Sequence, residues 1–264
     1  MNTISLTNNV QTQDDYQIQQ QLIAKGHVPQ HIAVIMDGNG RWAKSRGSLR
    51  LFGHKAGVES VRDITEACAQ LGVKYLTLYA FSTENWGRPT DEVMGLMQIL
   101  VQSIRNETKK LNKNNIRLIT IGQTERFPES CQRELNEAIE ITKNNTRLSL
   151  CLALSYSGRW DITQAVKKLA RQVNAGTLDP EAINDELITA ELETALIPDP
   201  DLIIRTSGEF RISNFLLWQL AYSELYITQT FWPDFRRNEL YEAIRSFQQR
   251  ERRYGKISEQ VAGV

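Results

Sequence analysis

The sequence has 264 residues, of which 41% are hydrophobic and 23% charged, and its Lys plus Arg and its Asp plus Glu number 31 each. This composition is typical of a soluble globular protein and excludes the disordered and fibrous classes. The balanced charge provides no overall attraction to nucleic acid or to an acidic membrane, so any bound anion must be held by a local group of basic residues.

Cysteine and histidine usage limits the possible metal and redox chemistry. Cys68, Cys131 and Cys151 are far apart and form no Cys-x-x-Cys pair, which argues against a disulfide framework and a zinc site and favours a reducing cytoplasm. With three histidines in the chain, a bound metal is expected to be a hard cation, and Mg²⁺ is the natural candidate. The most apolar stretch, residues 215–227, is too short to span a membrane and contains Glu224, so we expect no transmembrane segment.

The first 25 residues are polar and rich in glutamine, and they are predicted to be an N-terminal tail with one or two helical turns around residues 16–23. Residues 26–264 contain no evident linker and no internal repeat. We therefore expect them to form one domain.

A short apolar run at residues 31–36 predicts a strand, and it ends directly on Asp37 and a Gly-Asn-Gly segment. The glycines on both sides of Asn39 let the backbone approach a ligand closely, and Arg41 adds a positive charge nearby. Open α/β sheets bind ligands at the carboxyl ends of their strands. The stretch therefore suggests a metal-assisted diphosphate site, although taken alone it also fits an ordinary glycine-rich turn.

Helical and strand patterns alternate along the rest of the chain. Strands are predicted at residues 74–80, 116–122, 147–155, 201–206 and 224–229, and helices at 54–71, 91–106, 129–143, 161–173, 214–222 and 234–253, with short helices from 180 to 196. This alternation predicts an α/β domain with a mainly parallel six-stranded sheet flanked by helices.

The helix predicted at residues 91–106 is apolar around more than one stripe, so it must be covered on two sides. A core helix between two neighbours has this pattern. The alternative is that one of its apolar sides faces an oily ligand in a tunnel.

Polar groups follow the first, second and fifth predicted strands, and in a parallel sheet these positions share one edge. Several arginines are suited to phosphate oxygens because each guanidinium offers a fixed pair of donors, although surface ion pairing is the alternative role for any one of them. With the start of the sixth strand, the groups comprise the cations Arg41, Arg50, His54, Arg88, Arg205 and Arg211, the carboxylates Asp37 and Glu224, and the hydrogen-bonding residues Ser82, Asn85 and Ser213. Trp42, Phe81 and Trp86 lie beside them in the sequence, as core aromatics or as the wall of an apolar pocket.

Four segments carry a resemblance to a known family: residues 36–43 (MDGNGRWA), 52–57 (FGHKAG), 79–86 (YAFSTENW) and 205–215 (RTSGEFRISNF). They closely resemble the cis-prenyltransferases, in particular the bacterial undecaprenyl diphosphate synthases, over about residues 29 to 254. The resemblance implies a cytoplasmic, Mg²⁺-dependent homodimer with an apolar tunnel. Such an enzyme adds isopentenyl diphosphate units in cis to an allylic primer such as farnesyl diphosphate, and its long polyprenyl product is destined for the membrane.

The resemblance also implies roles for individual residues. Asp37 would hold Mg²⁺ and assist ionisation of the allylic diphosphate, with Glu224 as the second metal-linked carboxylate. The allylic diphosphate would be bound by Gly38, Asn39, Gly40, Arg41, Arg50 and His54, the reacting chain would be bordered by Trp42, Phe81 and Trp86, and isopentenyl diphosphate would be held by Arg88, Arg205, Arg211, Ile212 and Ser213. Ser82 and Asn85 would lie near the proton that is lost, and Thr83 and Glu84 would belong to the substrate-binding residues.

Two points qualify these roles. A neutral amide barely binds protons, so Asn85 is expected to position the substrate while a diphosphate oxygen takes the proton. The family often has a polar residue where this chain has Phe210, so no polar contact is expected there. Leu148 and Leu150 are candidates for the floor of the tunnel.

Three other classes were weighed. A trans-prenyl synthase is all-helical and has Asp-Asp-x-x-Asp motifs, which this sequence lacks. A non-catalytic prenyl-lipid-binding subunit tends to lose the metal carboxylate or the Arg-x-Ser segment, and both are present here. A nucleotide-binding protein is disfavoured because Gly-x-x-x-x-Gly-Lys is absent.

Overall fold

The computed structural model describes residues 11–251. Within this range the strands form a six-stranded sheet in the order β3-β4-β2-β1-β5-β6, and every pairing in it is parallel. The strands are β1 (His31–Ile35), β2 (Tyr75–Ser82), β3 (Ile116–Ile121), β4 (Leu148–Tyr156), β5 (Leu202–Arg205) and β6 (Glu224–Ile227). The prediction of a single α/β domain with a parallel sheet is confirmed.

Helices cover the sheet, and the central strands are buried on both faces. They are α1 (Gln13–Lys25), α2 (Asn39–Ser45), α3 (Arg50–Leu71), α4 (Thr90–Lys113), α5 (Glu129–Thr142), α6 (Gly158–Asn174), α7 (Asp185–Glu191) and α8 (Arg237–Gln248). All residues of β1 and β5 are buried, which explains why these strands read as continuous apolar runs. Of the two apolar clusters, the larger includes Ile64 and Leu76, and the smaller includes Phe215.

The helix predicted at residues 214–222 is not formed, because turns occupy this segment. Ser213, Asn214 and Leu216 have positive φ angles of 49°, 60° and 43°, and left-handed residues cannot continue a right-handed helix. The apolar pattern that suggested a helix comes from Phe215 and Leu216, which are fully buried in the smaller cluster.

The two ends of the described chain also differ from expectation. The last helix begins at Arg237, because residues 232–234 form a 3₁₀ turn, and it ends at Gln248, short of the predicted end at residue 253. The helix within the predicted tail is longer than one or two turns and is capped by Thr12 and Asp15. Leu22 of this helix belongs to the larger apolar cluster. Residues 1–10 of that tail lie outside the described residues.

Among residues 11–251, none of the helices combines the length and the hydrophobicity needed to cross a bilayer. This finding agrees with the expectation of no transmembrane segment for that part of the chain.

Candidate active site

The carboxyl edge of the sheet brings together residues that are far apart in the sequence. β1 and β5 end side by side, with Ile35 opposite Arg205, and the turn after β1 places Asp37 against this arginine. The turn needs a glycine at position 38, where φ is 100° and an added Cβ would lie 2.7 Å from the Phe231 ring.

Asp37 is the most connected carboxylate at this edge. Its Oδ2 accepts a hydrogen bond of 2.9 Å from Arg205 and lies 3.3 Å from Arg41 Nη2, and its Oδ1 accepts one of 2.6 Å from the Gly38 N–H. Partial burial works against ionisation, but the bonds from Arg205 and Gly38 and the two guanidinium charges outweigh it and hold the pKa of Asp37 below its usual value. Asp37 is therefore an anion at neutral pH.

Arg205 is held rigidly beneath Asp37. It is 5% exposed, and its Nη1 donates to Ser213 Oγ at 2.7 Å and to the Arg211 carbonyl oxygen. Its Nε is buried and has no hydrogen-bond partner. Because buried polar groups are nearly always paired, this orphaned donor marks a place where a ligand oxygen would be stabilised.

Two more arginines share one carboxylate at the outer rim. Glu209 accepts from Arg41 Nη1 at 2.9 Å and from Arg211 Nη1 at 2.5 Å. Arg41 also donates to Ser207 Oγ at 2.5 Å. The Arg211 side chain is 61% exposed, so it can turn towards an anion at little cost. Ile212, between Arg211 and Ser213, is partly exposed.

The opposite rim is formed by the first turns of α3 and α4. Glu92 pairs there with Arg50 at 3.3 Å and with Arg88 at 3.0 Å. Burial, followed by the positive charge of Arg88, lowers the pKa of His54 to about 4. His54 is therefore a neutral donor or acceptor at neutral pH. Gly40 lies against the Arg50 guanidinium, to which an added Cβ would come within 3.2 Å.

Asn39 is 8% exposed and donates from Nδ2 to the Met36 carbonyl oxygen at 3.2 Å, while its Oδ1 is buried without a partner. Asn39 Oδ1 is thus a second buried polar atom without a partner, and Asn39 lines the mouth of the cavity described below.

The segment after β2 is ordered by its own side chains. Ser82 and Asn85 form a reciprocal cap of a short 3₁₀ turn, in which Asn85 Oδ1 accepts from the Ser82 N–H at 3.1 Å. Thr83 donates to Glu84, and Glu84 accepts from Asn214 Nδ2 at 2.8 Å, which ties this turn to the one after β5. Asn85 therefore has a structural role as well as a place at the mouth of the cavity.

Aromatic residues beside this turn pack edge to face. Phe81 and Trp86 have ring centroids 5.0 Å apart, and Trp86 Nε1 donates to Ser155 Oγ at 2.9 Å. Phe81 lines the cavity. These contacts fix an apolar wall directly next to the charged rim.

A cavity of about 660 Å³ runs from this rim between the sheet and the helices α3 and α4. Its mouth is lined by Asp37, Asn39, His54, Ser82, Asn85, Arg88, Arg205 and Ser213, and its deeper part by apolar residues that include Leu100, Leu111 and Leu118. The predicted apolar tunnel is confirmed. Leu150 contributes to its lining as expected, whereas Leu148 is buried and is not among the lining residues.

Two predicted site residues lie elsewhere. Trp42 donates from Nε1 to Asp234 at 2.8 Å and is covered by the Arg46 guanidinium at 4.0 Å, and it does not line the cavity. Glu224 begins β6 at the amino edge of the sheet, opposite to Asp37, and pairs with Arg250 at 2.7 Å. Because strands in a parallel sheet run the same way, the start of β6 cannot share the edge where β1 ends, so one chain does not bring both carboxylates to one metal.

Two carboxylates that the sequence patterns did not predict as site residues, Glu92 and Glu209, each join a pair of rim arginines. Glu209 lies within the segment that carried the family resemblance, so its position was a usable signal. Glu92 lies in the first turn of α4, and its pairing with Arg50 depends on the approach of α3.

Cationic donors at one end of a mainly apolar cavity define an α/β enzyme for amphiphiles that have an anionic head and a hydrocarbon tail. A family model described as "Putative undecaprenyl diphosphate synthase" matches residues 35–255. The chain belongs to this prenyltransferase family.

Individual relatives agree with this assignment. The chain is 56% identical over 248 residues to an isoprenyl transferase of Chlorobaculum tepidum, with 94% of each chain covered. It is 49% identical to a ditrans,polycis-undecaprenyl-diphosphate synthase, (2E,6E)-farnesyl-diphosphate specific, of Aliivibrio fischeri, with 94% and 96% covered.

Solved structures show the same fold. Lavandulyl diphosphate synthase from Lavandula x intermedia, in complex with dimethylallyl diphosphate, matches with a TM-score of 0.84 and 37% identity, covering 87% of this chain and 99% of that one. A probable undecaprenyl diphosphate synthase from Campylobacter jejuni matches with a TM-score of 0.72 and 33% identity, covering 88% and 100%.

Proposed function

We propose that the protein is a Mg²⁺-dependent cis-prenyltransferase that condenses isopentenyl diphosphate with an allylic diphosphate such as farnesyl diphosphate. The product is a long-chain cis-polyprenyl diphosphate, with undecaprenyl diphosphate as the expected length. The observation that carries this proposal is the continuity between the charged rim and the apolar cavity. One substrate can place its diphosphate at Asp37 and its hydrocarbon chain between the sheet and α4.

The allylic diphosphate is assigned to the side of the rim formed by the turn after β1 and the start of α3. Arg41 and Arg50 supply charge, His54 is a neutral hydrogen-bonding group, and the Gly38–Gly40 backbone lies close by. Donors placed where charge develops on the leaving diphosphate lower the barrier to its departure. Phe81, which lines the cavity and packs on Trp86, excludes water from the carbocation-like carbon that forms.

Isopentenyl diphosphate is assigned to Arg88, Arg205, Arg211 and Ser213. The buried Arg205 Nε supplies an unused donor at this place, and the exposed Arg211 can close over the anion. The Asn85 amide positions the reacting carbons, and a diphosphate oxygen accepts the proton that is lost.

A hard cation fits this site if the protein supplies part of its ligands and the substrate phosphates supply the rest. Among residues 11–251, His, Cys, Asp and Glu form no group of three or more that could hold a metal by themselves. Asp37 is ionised and partly exposed, and Mg²⁺ is commonly held by one or two carboxylates together with substrate phosphates. Asp37 would hold the ion, which would supply charge neutralisation at the leaving diphosphate.

The test is incubation of the purified protein with labelled isopentenyl diphosphate and farnesyl diphosphate, with Mg²⁺ or with EDTA. We expect butanol-extractable label in the Mg²⁺ samples alone, and its chain length identifies the product. No incorporation with farnesyl or geranylgeranyl diphosphate would contradict the proposal and favour the prenyl-lipid-binding subunit. Incorporation that persists in EDTA would contradict the Mg²⁺ requirement alone.

We further propose a homodimer that works in the cytoplasm and delivers its product to the membrane. The support for a dimer is the sheet edge at β6, where Tyr222 and Leu225 are 70% and 50% exposed. An edge strand with exposed apolar side chains is a ready site for association.

A further inference from the structure

One pair of charged residues lines the deeper, mainly apolar part of the cavity. Arg62 of α3 and Glu107 of α4 are both lining residues. Glu107 Oε1 lies 2.9 Å from Arg62 Nε and 2.6 Å from Arg62 Nη2. The neighbouring lining positions on the two helices are the apolar Val61 and Ile104 and the uncharged polar Ser103 and Thr108.

This ion pair is mostly shielded from water. The Arg62 and Glu107 side chains are 20% and 13% exposed, and Glu107 Oε2 is buried without a hydrogen-bond partner. On the outer side, Arg62 also pairs with Glu59, and Lys110 lies 3.8 Å from Glu107 Oε2. The pair therefore lies between the cavity and its outer partners, Glu59 and Lys110, at the place where α3 and α4 face each other.

The position of the pair along the cavity follows from the helices. Both helices begin at the charged rim, with Arg50 and Thr90 as their first residues. At about 1.5 Å per residue, Arg62 lies about 18 Å along α3, and Glu107 lies about 26 Å along α4. If isoprene units are added at the diphosphate end, as in the proposed function on which this inference rests, the hydrocarbon end moves down the cavity towards this level.

We propose that the Arg62–Glu107 ion pair is a specificity-determining element that limits product length by closing the side of the cavity between α3 and α4. A chain that grows past this level has to separate the two charges. Separation would leave each charge against hydrocarbon with only its partner on the outer side, Glu59 or Lys110, which is unfavourable in a site shielded from water. Elongation therefore slows where the chain end meets the pair.

The proposal is tested by the Arg62→Leu, Glu107→Leu double variant, which replaces the polar closure with apolar side chains. We expect products that are longer by at least one isoprene unit, with an unchanged rate for the first condensation. The matched control is Arg105→Leu, Glu134→Leu. This pair also joins two helices, at 2.6 Å, but it is not among the residues that line the cavity, so the product length should stay that of the wild type.

Two further variants separate the effect of charge from that of shape. Glu107→Gln keeps the size of the side chain but removes its charge, and it should lengthen the product even if the Leu variant folds poorly. The charge-exchanged double variant, Arg62→Glu with Glu107→Arg, should restore the wild-type length where either single exchange alters it.

The outcomes that overturn the proposal are distinct from failure of the enzyme assignment. If the wild type elongates farnesyl diphosphate and both the Leu and the Gln variants give unchanged lengths, the ion pair does not limit the product. An equal shift in the Arg105 and Glu134 control would also overturn it.

If the wild type makes no product, binding of prenyl diphosphates of increasing length is measured by tryptophan fluorescence. The Leu variant should then gain affinity for the longer chains, and no gain overturns the proposal.

Discussion

At the scale of single residues, Asp37 shows how one side chain serves both the fold and the chemistry. A carboxylate that follows a strand at the edge of a sheet is ordinarily exposed, and its removal then costs the fold little. In the structure it is instead the counter-charge of Arg205, whose side chain is 6% exposed. A buried arginine that loses its partner is destabilising, so removal and neutralisation of Asp37 should have different effects.

The first prediction compares Asp37→Asn with Asp37→Ala. Both should lower turnover by at least about 100-fold, because each removes the charge that would hold the metal at the leaving group. Asp37→Asn retains an oxygen for Arg205, whereas Asp37→Ala should cost about 2 kcal/mol, a reduced figure because Asp37 is partly exposed. Turnover and thermal unfolding at pH 7 provide the measurements.

The pH of that comparison follows from the lowered pKa of Asp37. A carboxyl group with a depressed pKa stabilises the fold above its unfolded pKa, and this contribution is lost as the pH falls through the folded value. At pH 7 the full contribution is therefore present. Near-wild-type turnover of Asp37→Asn would contradict the role assigned to this carboxylate.

At the scale of the elements, the packing of α2 on α3 depends on glycines one turn apart. A Cβ at Gly53 would lie 1.9 Å from the backbone oxygen of Asn39, and one at Gly57 would lie 2.7 Å from Asn39 Oδ1. Since the obstacle at Gly53 is backbone, it cannot move without a shift of α2. These glycines hold the Gly38–Arg41 segment against the start of α3.

The second prediction is that Gly53→Ala loses activity and stability together. Overpacking costs about 1–3 kcal/mol, which outweighs the gain of about 1 kcal/mol from placing alanine in a helix. We expect a lower melting temperature and a raised KM for the allylic substrate. Gly95→Ala is the control, because there the added Cβ meets the flexible end of the Leu51 side chain. Equal behaviour of the two variants would contradict this account.

At the scale of the whole molecule, the sheet order leaves β6 at one edge and β3 at the other. The start of the edge strand β6 carries exposed apolar side chains at Tyr222 and Leu225. This concentration is the physical basis of the proposed dimer.

The third prediction is that Leu225→Arg weakens self-association. Light scattering after size-exclusion chromatography should give a dimer mass for the wild type and a concentration-dependent shift towards the monomer for the variant. A charge placed in an apolar interface loses its hydration without gaining a partner. Val166→Arg, at a 53% exposed position on α6, should remain dimeric, and a monomeric wild type would refute the proposal.

The amino-acid sequence by itself determined the strand and helix alternation, and with it the parallel sheet and the edge at which polar groups gather. These features were predictable because they depend on local periodicity and on where polar residues follow a strand. The residues near Asp37, Ser82 and Arg205 could be grouped in advance for that reason. The prediction of a helix at residues 214–222 was wrong. Phe215 and Leu216 are buried in turns, and their apolar spacing in the sequence resembles that of a helix.

Only the tertiary structure decided which charges are partners. Asp37 meets Arg205 because β1 and β5 are neighbours, Glu224 is removed from that site because β6 starts at the opposite edge, and Arg62 meets Glu107 because α3 lies beside α4. Each of these contacts joins segments that are distant in the chain, and no local pattern encodes the distance between them. The physical reason is that strand order and helix packing result from burial of the whole core, so they become known only when all the elements are placed together.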